Sequence, residues 1–127
     1  MQKNTFADIM LAEMVGIGCN FLIRFLFQEV ISFEFSVVLS YLFGAVTTFC
    51  LLVPVFSKTK NSMFKFVTMN IAGLLQTFIV SIWIFAVLES DVTKDVACTT
   101  AHSVALGCLV VTNYLAYNKM RPARKRA

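Results

Sequence analysis

Charge is what this sequence has least of. Only 14% of its 127 residues are Asp, Glu, Lys or Arg and 58% are hydrophobic, where a soluble domain carries about 25% charge and about 45–50% apolar residues. That excludes an ordinary soluble fold, and it excludes a disordered chain, which needs low hydrophobicity. Glycine and proline are scarce as well, 5 and 2. No phosphate-cradling glycine loop stands among them, and the polar linkers are too short for a nucleotide fold or a soluble catalytic domain. There is one His, and the four cysteines, Cys19, Cys50, Cys98 and Cys108, form no C-x-x-C. They read as small hydrophobes within helices. Neither a metal nor a cofactor is expected, and the absence of any catalytic constellation points to a protein that is not an enzyme.

Four apolar runs fill the chain, at about 9–30, 35–56, 66–88 and 96–117, and the mean hydropathy is +0.77. Each has the roughly 20 residues that a ~30 Å hydrocarbon core demands. The second and third contain no charged residue, and the fourth contains only His102. All four are apolar around the whole helix, which leaves no face for water. The first run lacks the short apolar core, small-residue cleavage site and basic start of a signal peptide, so it counts as a span. The expected fold is all-α: one integral membrane bundle of four transmembrane helices over residues 1–127, with a basic tail at 118–127.

The net charge of +4 takes its meaning from placement. Lys3, Lys58, Lys60, Lys65, Lys119, Arg121, Arg124, Lys125 and Arg126 are nine of the eleven basic residues, and four crossings put them all on one side. The opposite loops hold Lys94 with Glu29, Glu34, Glu89, Asp91 and Asp95. The positive-inside rule makes both termini cytoplasmic. The tail then lies against anionic membrane lipids, and nucleic acid, which needs a basic reading surface, is not an expected partner.

The halves show a weak two-helix internal repeat. Gly16-x-x-x-Asn20-Phe21 matches Gly73-x-x-x-Thr77-Phe78, Gly44 matches Gly107, and Leu52 matches Leu115. Repeats of this kind occur in transporters, with the site at the repeat interface. Ser40, Gly44 and Thr47–Thr48 fit a small-residue contact, within the monomer or across a homodimer. Trp83, Tyr41, Tyr114 and Tyr117 fit interface anchors or core packing alike.

Polar residues inside the spans are the candidate site. A mid-bilayer charge costs ~2.5–3.5 kcal/mol on insertion scales, so such groups are functional candidates by default. Glu13, Asn20 and Arg24, seven and four residues apart, share one helical stripe with Gly16 and Ile17. Asn70, Gly73, Thr77 and Ser81 make a second stripe with Gln76 at its edge, and His102 and Asn113 share a face of the fourth span. Counted from the centre of each span, Glu13, Asn70 and Asn113 lie in the cytoplasmic half, and Arg24, Ser81 and His102 in the outer half. The functional reading is a polar path with an anion-binding layer at Arg24, built from Arg24, Asn20, Glu13, His102, Asn70, Gln76 and Asn113. The structural reading of the same residues is interhelical hydrogen bonding, worth about 0.6 kcal/mol per bond.

Val15-Gly16, the run Tyr41-Leu42-Phe43-Gly44-Ala45-Val46-Thr47-Thr48-Phe49, the basic linker into Phe64-Lys65-Phe66 and the ending Asn113-Tyr114-Leu115-Ala116-Tyr117-Asn118-Lys119 resemble the GtrA-like family over nearly the whole chain. The resemblance implies a small four-helix protein of the bacterial inner membrane that moves a lipid-linked sugar, such as undecaprenyl-phosphate glucose, for cell-surface polysaccharide modification beside a membrane glycosyltransferase. With that ending, Lys119 joins the candidate substrate contacts. The chain departs from the family at Leu51-Leu52-Val53-Pro54-Val55-Phe56, which has no arginine, and at Met120-Arg121-Pro122, which replaces an aromatic pair. Glu13 and Arg24 are not family positions, so their roles rest on the residues themselves.

Two other readings stand beside that one. Leu11-Ala12-Glu13-Met14-Val15-Gly16 resembles the glutamate segment of the small multidrug resistance family, where a buried carboxylate trades protons for a cation. Arg24 on the same stripe opposes that, because it repels cations. The third reading is a non-transporting subunit that anchors a glycosyltransferase.

Overall fold

The structure, a computed structural model, describes residues 2–56 and 62–119. Lys58 and Lys60 of the basic linker and Arg121, Arg124, Lys125 and Arg126 of the tail lie outside the described residues. The fold is all-helical: α1 (Gln2–Gln28), α2 (Phe33–Phe56), α3 (Ser62–Leu88) and α4 (Lys94–Lys119). Within them Ala7–Gln28, Phe33–Pro54, Met63–Leu88 and Lys94–Lys119 are long and apolar enough to cross a membrane. The protein is a multi-pass membrane protein.

Capping, more than hydropathy, sets the helix ends at the two short turns. α1 stops before Val30 because the N–H groups of Val30 and Ile31 both turn back to Phe27 O, at 3.0 and 2.9 Å. α4 begins ahead of Val96 because Thr93 O accepts the N–H of Ala97 at 2.9 Å, which puts Thr93 at the favoured N-cap position. Glu34 and Asp95 occupy the first turns of α2 and α4, where a carboxylate complements the helix dipole.

Burial is inverted relative to a soluble protein. Leu22, Leu26, Phe35, Ile79, Trp83 and Val111 are exposed, while Glu13, Asn20, Arg24, Ser36, Ser40, Thr48, Thr77, Ser81, His102 and Asn113 are buried. Lipid imposes this arrangement, since polar groups facing hydrocarbon find no partner.

The chain forms two antiparallel hairpins, α1 on α2 and α3 on α4, which meet along α2–α3 and, most sparsely, along α1–α4. Glycine makes the first hairpin tight: a Cβ added to Gly44 would stand 2.6 Å from Gly16 O and 2.9 Å from Asn20 Cβ. The small-residue stripe Ser40, Gly44 and Thr48 is therefore buried within the chain, while Thr47 turns aside and donates to its own helix at Phe43 O. The order of helices repeats between the halves, but the glycine contacts do not. Gly73 packs on Tyr41 and Leu109, whereas a Cβ on Gly107 would meet nothing within 4 Å.

Three small apolar clusters stack through the bundle. Phe33, Val37, Cys98 and Ala101 lie towards the two turns, Tyr41, Leu106 and Leu109 at the middle, and Ala12, Leu52 and Phe66 towards the opposite end. Of the tyrosines, Tyr41 is buried and Tyr117 half-buried, while Tyr114 and Trp83 face outward.

Candidate functional site

The α1 stripe faces α4, and each of its polar residues finds a partner there. Towards the end that carries the chain termini, Glu13 accepts two hydrogen bonds, from Asn113 Nδ2 to Oε2 at 3.1 Å and from Tyr117 OH to Oε1 at 2.9 Å. Its carboxylate is held by neutral donors alone, with no cation bridged to it among the described residues. At the middle, His102 Nε2 stands 3.2 Å from Asn20 Oδ1. An amide oxygen only accepts, so this assigns the imidazole proton to Nε2 and leaves Nδ1 as an acceptor. Phe21 stacks on the same ring at 6.5 Å.

One turn nearer the 29–32 loop lies Arg24, which is 0% exposed. Nη1 donates to Gln28 Oε1 at 2.6 Å and Nη2 to Thr99 Oγ1 at 3.2 Å. The guanidinium carbon sits 4.4 Å over the Phe25 ring. Both hydrogen-bond partners are neutral, and among the described residues no carboxylate forms an ion pair with it. Its Nε has no partner at all, and His102 Nδ1, Thr77 Oγ1 and Ser81 Oγ are likewise buried without one. A charge sequestered with neither a counter-ion nor a full set of acceptors is costly. Glu13, Asn20, Ser36, Ser40, Thr48 and Asn113 each have a hydrogen-bond partner, so the open valences gather at Arg24, His102, Thr77 and Ser81, and Arg24 alone of these four carries a fixed charge.

Between the tiers, Glu13, Asn20, Tyr41, Thr48 and Asn70 line a cavity of about 10 Å³ beside the Gly16–Gly44 contact, roughly the space one water needs. Asn70 borders it while donating Nδ2 to its own helix at Phe66 O, 2.9 Å away. Gln76 and Lys119 do not join the constellation. Gln76 donates to Thr112 Oγ1 at 3.0 Å on the outer side of the α3–α4 pair, and Lys119 is exposed at the end of α4. Conversely, Thr99, Tyr117 and Gln28 belong to the site; the sequence offered Tyr117 only as an anchor or packing residue and did not single out Thr99 or Gln28. Thr99 and Tyr117 had a signal, since each lies near the face that carries His102 and Asn113. Among the described residues no group of three His, Cys, Asp or Glu could hold a metal ion, and the four cysteines are free thiols.

The arrangement defines a class: a four-helix membrane protein whose interior carries a ladder of polar side chains between α1 and α4, with an unneutralised arginine near one end. Compared with family models, curated proteins and solved structures, the chain matches none.

Proposed function

We propose that the protein translocates a polyprenyl-phosphate-linked sugar across the bacterial inner membrane, for modification of cell-surface polysaccharide. The observation that carries this reading is Arg24, fully buried, unpaired with any acid among the described residues, and holding a free Nε. A phosphate monoanion or diester supplies the missing charge and accepts from Nε and a terminal nitrogen together, the two-pronged contact for which arginine is suited. The polyprenyl chain needs no protein pocket, because the outward faces of all four helices are apolar and lipid can hold it. Nothing in the site performs covalent chemistry, so the protein acts as a carrier and a separate membrane glycosyltransferase handles the sugar.

Both termini lie in the cytoplasm on this reading, because nine of eleven basic residues fall on that side. The tail then contributes about 1 kcal/mol per Lys or Arg near anionic lipid, and Arg24 sits towards the outer leaflet. The test is reconstitution in liposomes loaded on one side with a polyprenyl-phosphate hexose and probed with a membrane-impermeant sugar oxidant. Protein-dependent exposure of the hexose, lost in Arg24→Ala, supports translocation. A silent assay with a protein that still captures the glycosyltransferase supports the non-transporting subunit.

One observation favours a second reading. Glu13 lines the cavity and is bonded only to neutral donors, as an exporter that binds cations at a membrane carboxylate requires. Drug resistance that depends on Glu13 would select it.

A further inference from the structure

The two seams that join the hairpins differ in chemistry. Along α2–α3, Phe33 meets Phe85 with ring centroids 5.0 Å apart, Phe49 meets Phe66 at 5.9 Å, and Tyr41 packs on Gly73. Along α1–α4 the backbones come close at fewer places than along α2–α3, and the helices are bridged by side chains at Glu13–Asn113, Glu13–Tyr117, Asn20–His102 and Arg24–Thr99. A membrane seam built for strength brings small residues and backbones together, as α1 and α2 do at Gly16 and Gly44. The α1–α4 seam does the opposite: it spaces its backbones and fills the gap with long polar groups. Two of those groups, Arg24 and His102, are 0% exposed and keep an unpartnered nitrogen.

We infer that the α1–α4 seam is the path of a sugar-phosphate headgroup through the bilayer, with the hydrocarbon chain trailing in the lipid outside and the aromatic α2–α3 seam remaining closed. The inference rests on the proposed function for the kind of lipid carried. The chemistry of adjacent tiers fits the two parts of such a headgroup. Arg24 Nε and the Thr99 hydroxyl can donate to phosphate oxygens. One helical turn away, ~6 Å along the axis, His102 Nδ1 is an acceptor for a sugar hydroxyl. Further along the seam the Glu13 carboxylate accepts hydroxyls and repels phosphate, so it favours the sugar over the phosphate at that level. Thr99 and Tyr117 are half-buried at the two ends of this ladder, where they give the headgroup polar contacts as it enters and leaves.

The test uses the full chain in proteoliposomes with a polyprenyl phosphate that carries a diazirine on a short headgroup linker, and peptide mapping of the labelled sites. The path predicts labels concentrated on α1 and α4, at Ile17, Phe21, Thr99 and Tyr117, reduced severalfold by excess unlabelled polyprenyl phosphate. Competable labels concentrated at Phe49 and Phe66, or on the outward Trp83, would overturn the path while leaving lipid binding intact. Absence of competable labelling on every helix would overturn the proposed function and the path with it.

Discussion

Gly16 and Gly44 meet backbone to backbone, and Thr48 closes the contact by donating its hydroxyl to Gly44 O at 3.1 Å while lying 3.4 Å from Ala12 O. α1 and α2 approach closely here, and on α1 Glu13, Asn20 and Arg24 reach partners on α4. Gly44→Ala forces its new methyl against Gly16 O, a backbone atom that cannot move without the helix. The expected loss of stability is about 1–3 kcal/mol, the usual cost of overpacking. Gly107→Ala, at a site with open space, is the control and should cost nothing. Thermal unfolding of the two variants in one detergent checks the pair.

The Glu13 cluster makes a separate energetic prediction. Tyr117→Phe removes one of two donors to the carboxylate and should destabilise by about 0.6 kcal/mol, with ~1.7 as the ceiling seen for such bonds in membranes. Because Tyr117 and Asn113 donate to the two oxygens of one carboxylate, the double substitution Tyr117→Phe with Asn113→Leu should depart from additivity. Unfolding free energies for the two single variants and the double one give the coupling.

Much of this was legible in the sequence. Four runs of apolar residues name four helices, since only a helix satisfies its own backbone in lipid. The spacing of Glu13, Asn20 and Arg24 names one buried face. What the sequence withheld is which helix that face meets: α3 and α4 each offer polar residues on one face, and the nearness of Thr99 and Tyr117 to the face of His102 and Asn113 gains meaning only once α4 is set against α1. Gln76 shows the same limit from the other side. It lies at the edge of the polar stripe of α3, but its rotation places it across from Thr112 on the outside of the hairpin. The helix ends escaped for another reason: Ser32, whose O accepts the Ser36 N–H at 3.0 Å, and Thr93 open α2 and α4 as caps, and hydropathy does not report on caps.

The orientation is open to a direct check. A reporter active only outside the cytoplasm, fused after Ala127, should be silent, and the same reporter inserted in the 89–93 turn should be active. The reverse result would invert the sidedness of every tier, with Arg24 moving to the cytoplasmic half.

Glu13 and Arg24 separate the two transport readings in cells. If a phosphate is carried, Arg24→Ala abolishes surface glycan modification and Glu13→Gln weakens it less, because Gln keeps the size and one acceptor. Resistance to cationic drugs that falls in Glu13→Gln, with the glycan unchanged, would assign the site to cation export. Both phenotypes should be scored in the same strains at matched protein levels.

The account turns on Arg24 as the phosphate anchor, and the most direct measurement is binding of a polyprenyl-phosphate sugar to the purified protein, with thermal stability followed in parallel, for wild type, Arg24→Lys and Arg24→Ala. Lysine keeps the charge but lacks the planar fork. The account therefore predicts that Arg24→Lys folds and loses about 1 kcal/mol or more of binding, roughly fivefold in Kd, and that Arg24→Ala binds no lipid while remaining folded. Unchanged lipid binding by a well-folded Arg24→Ala protein would contradict it.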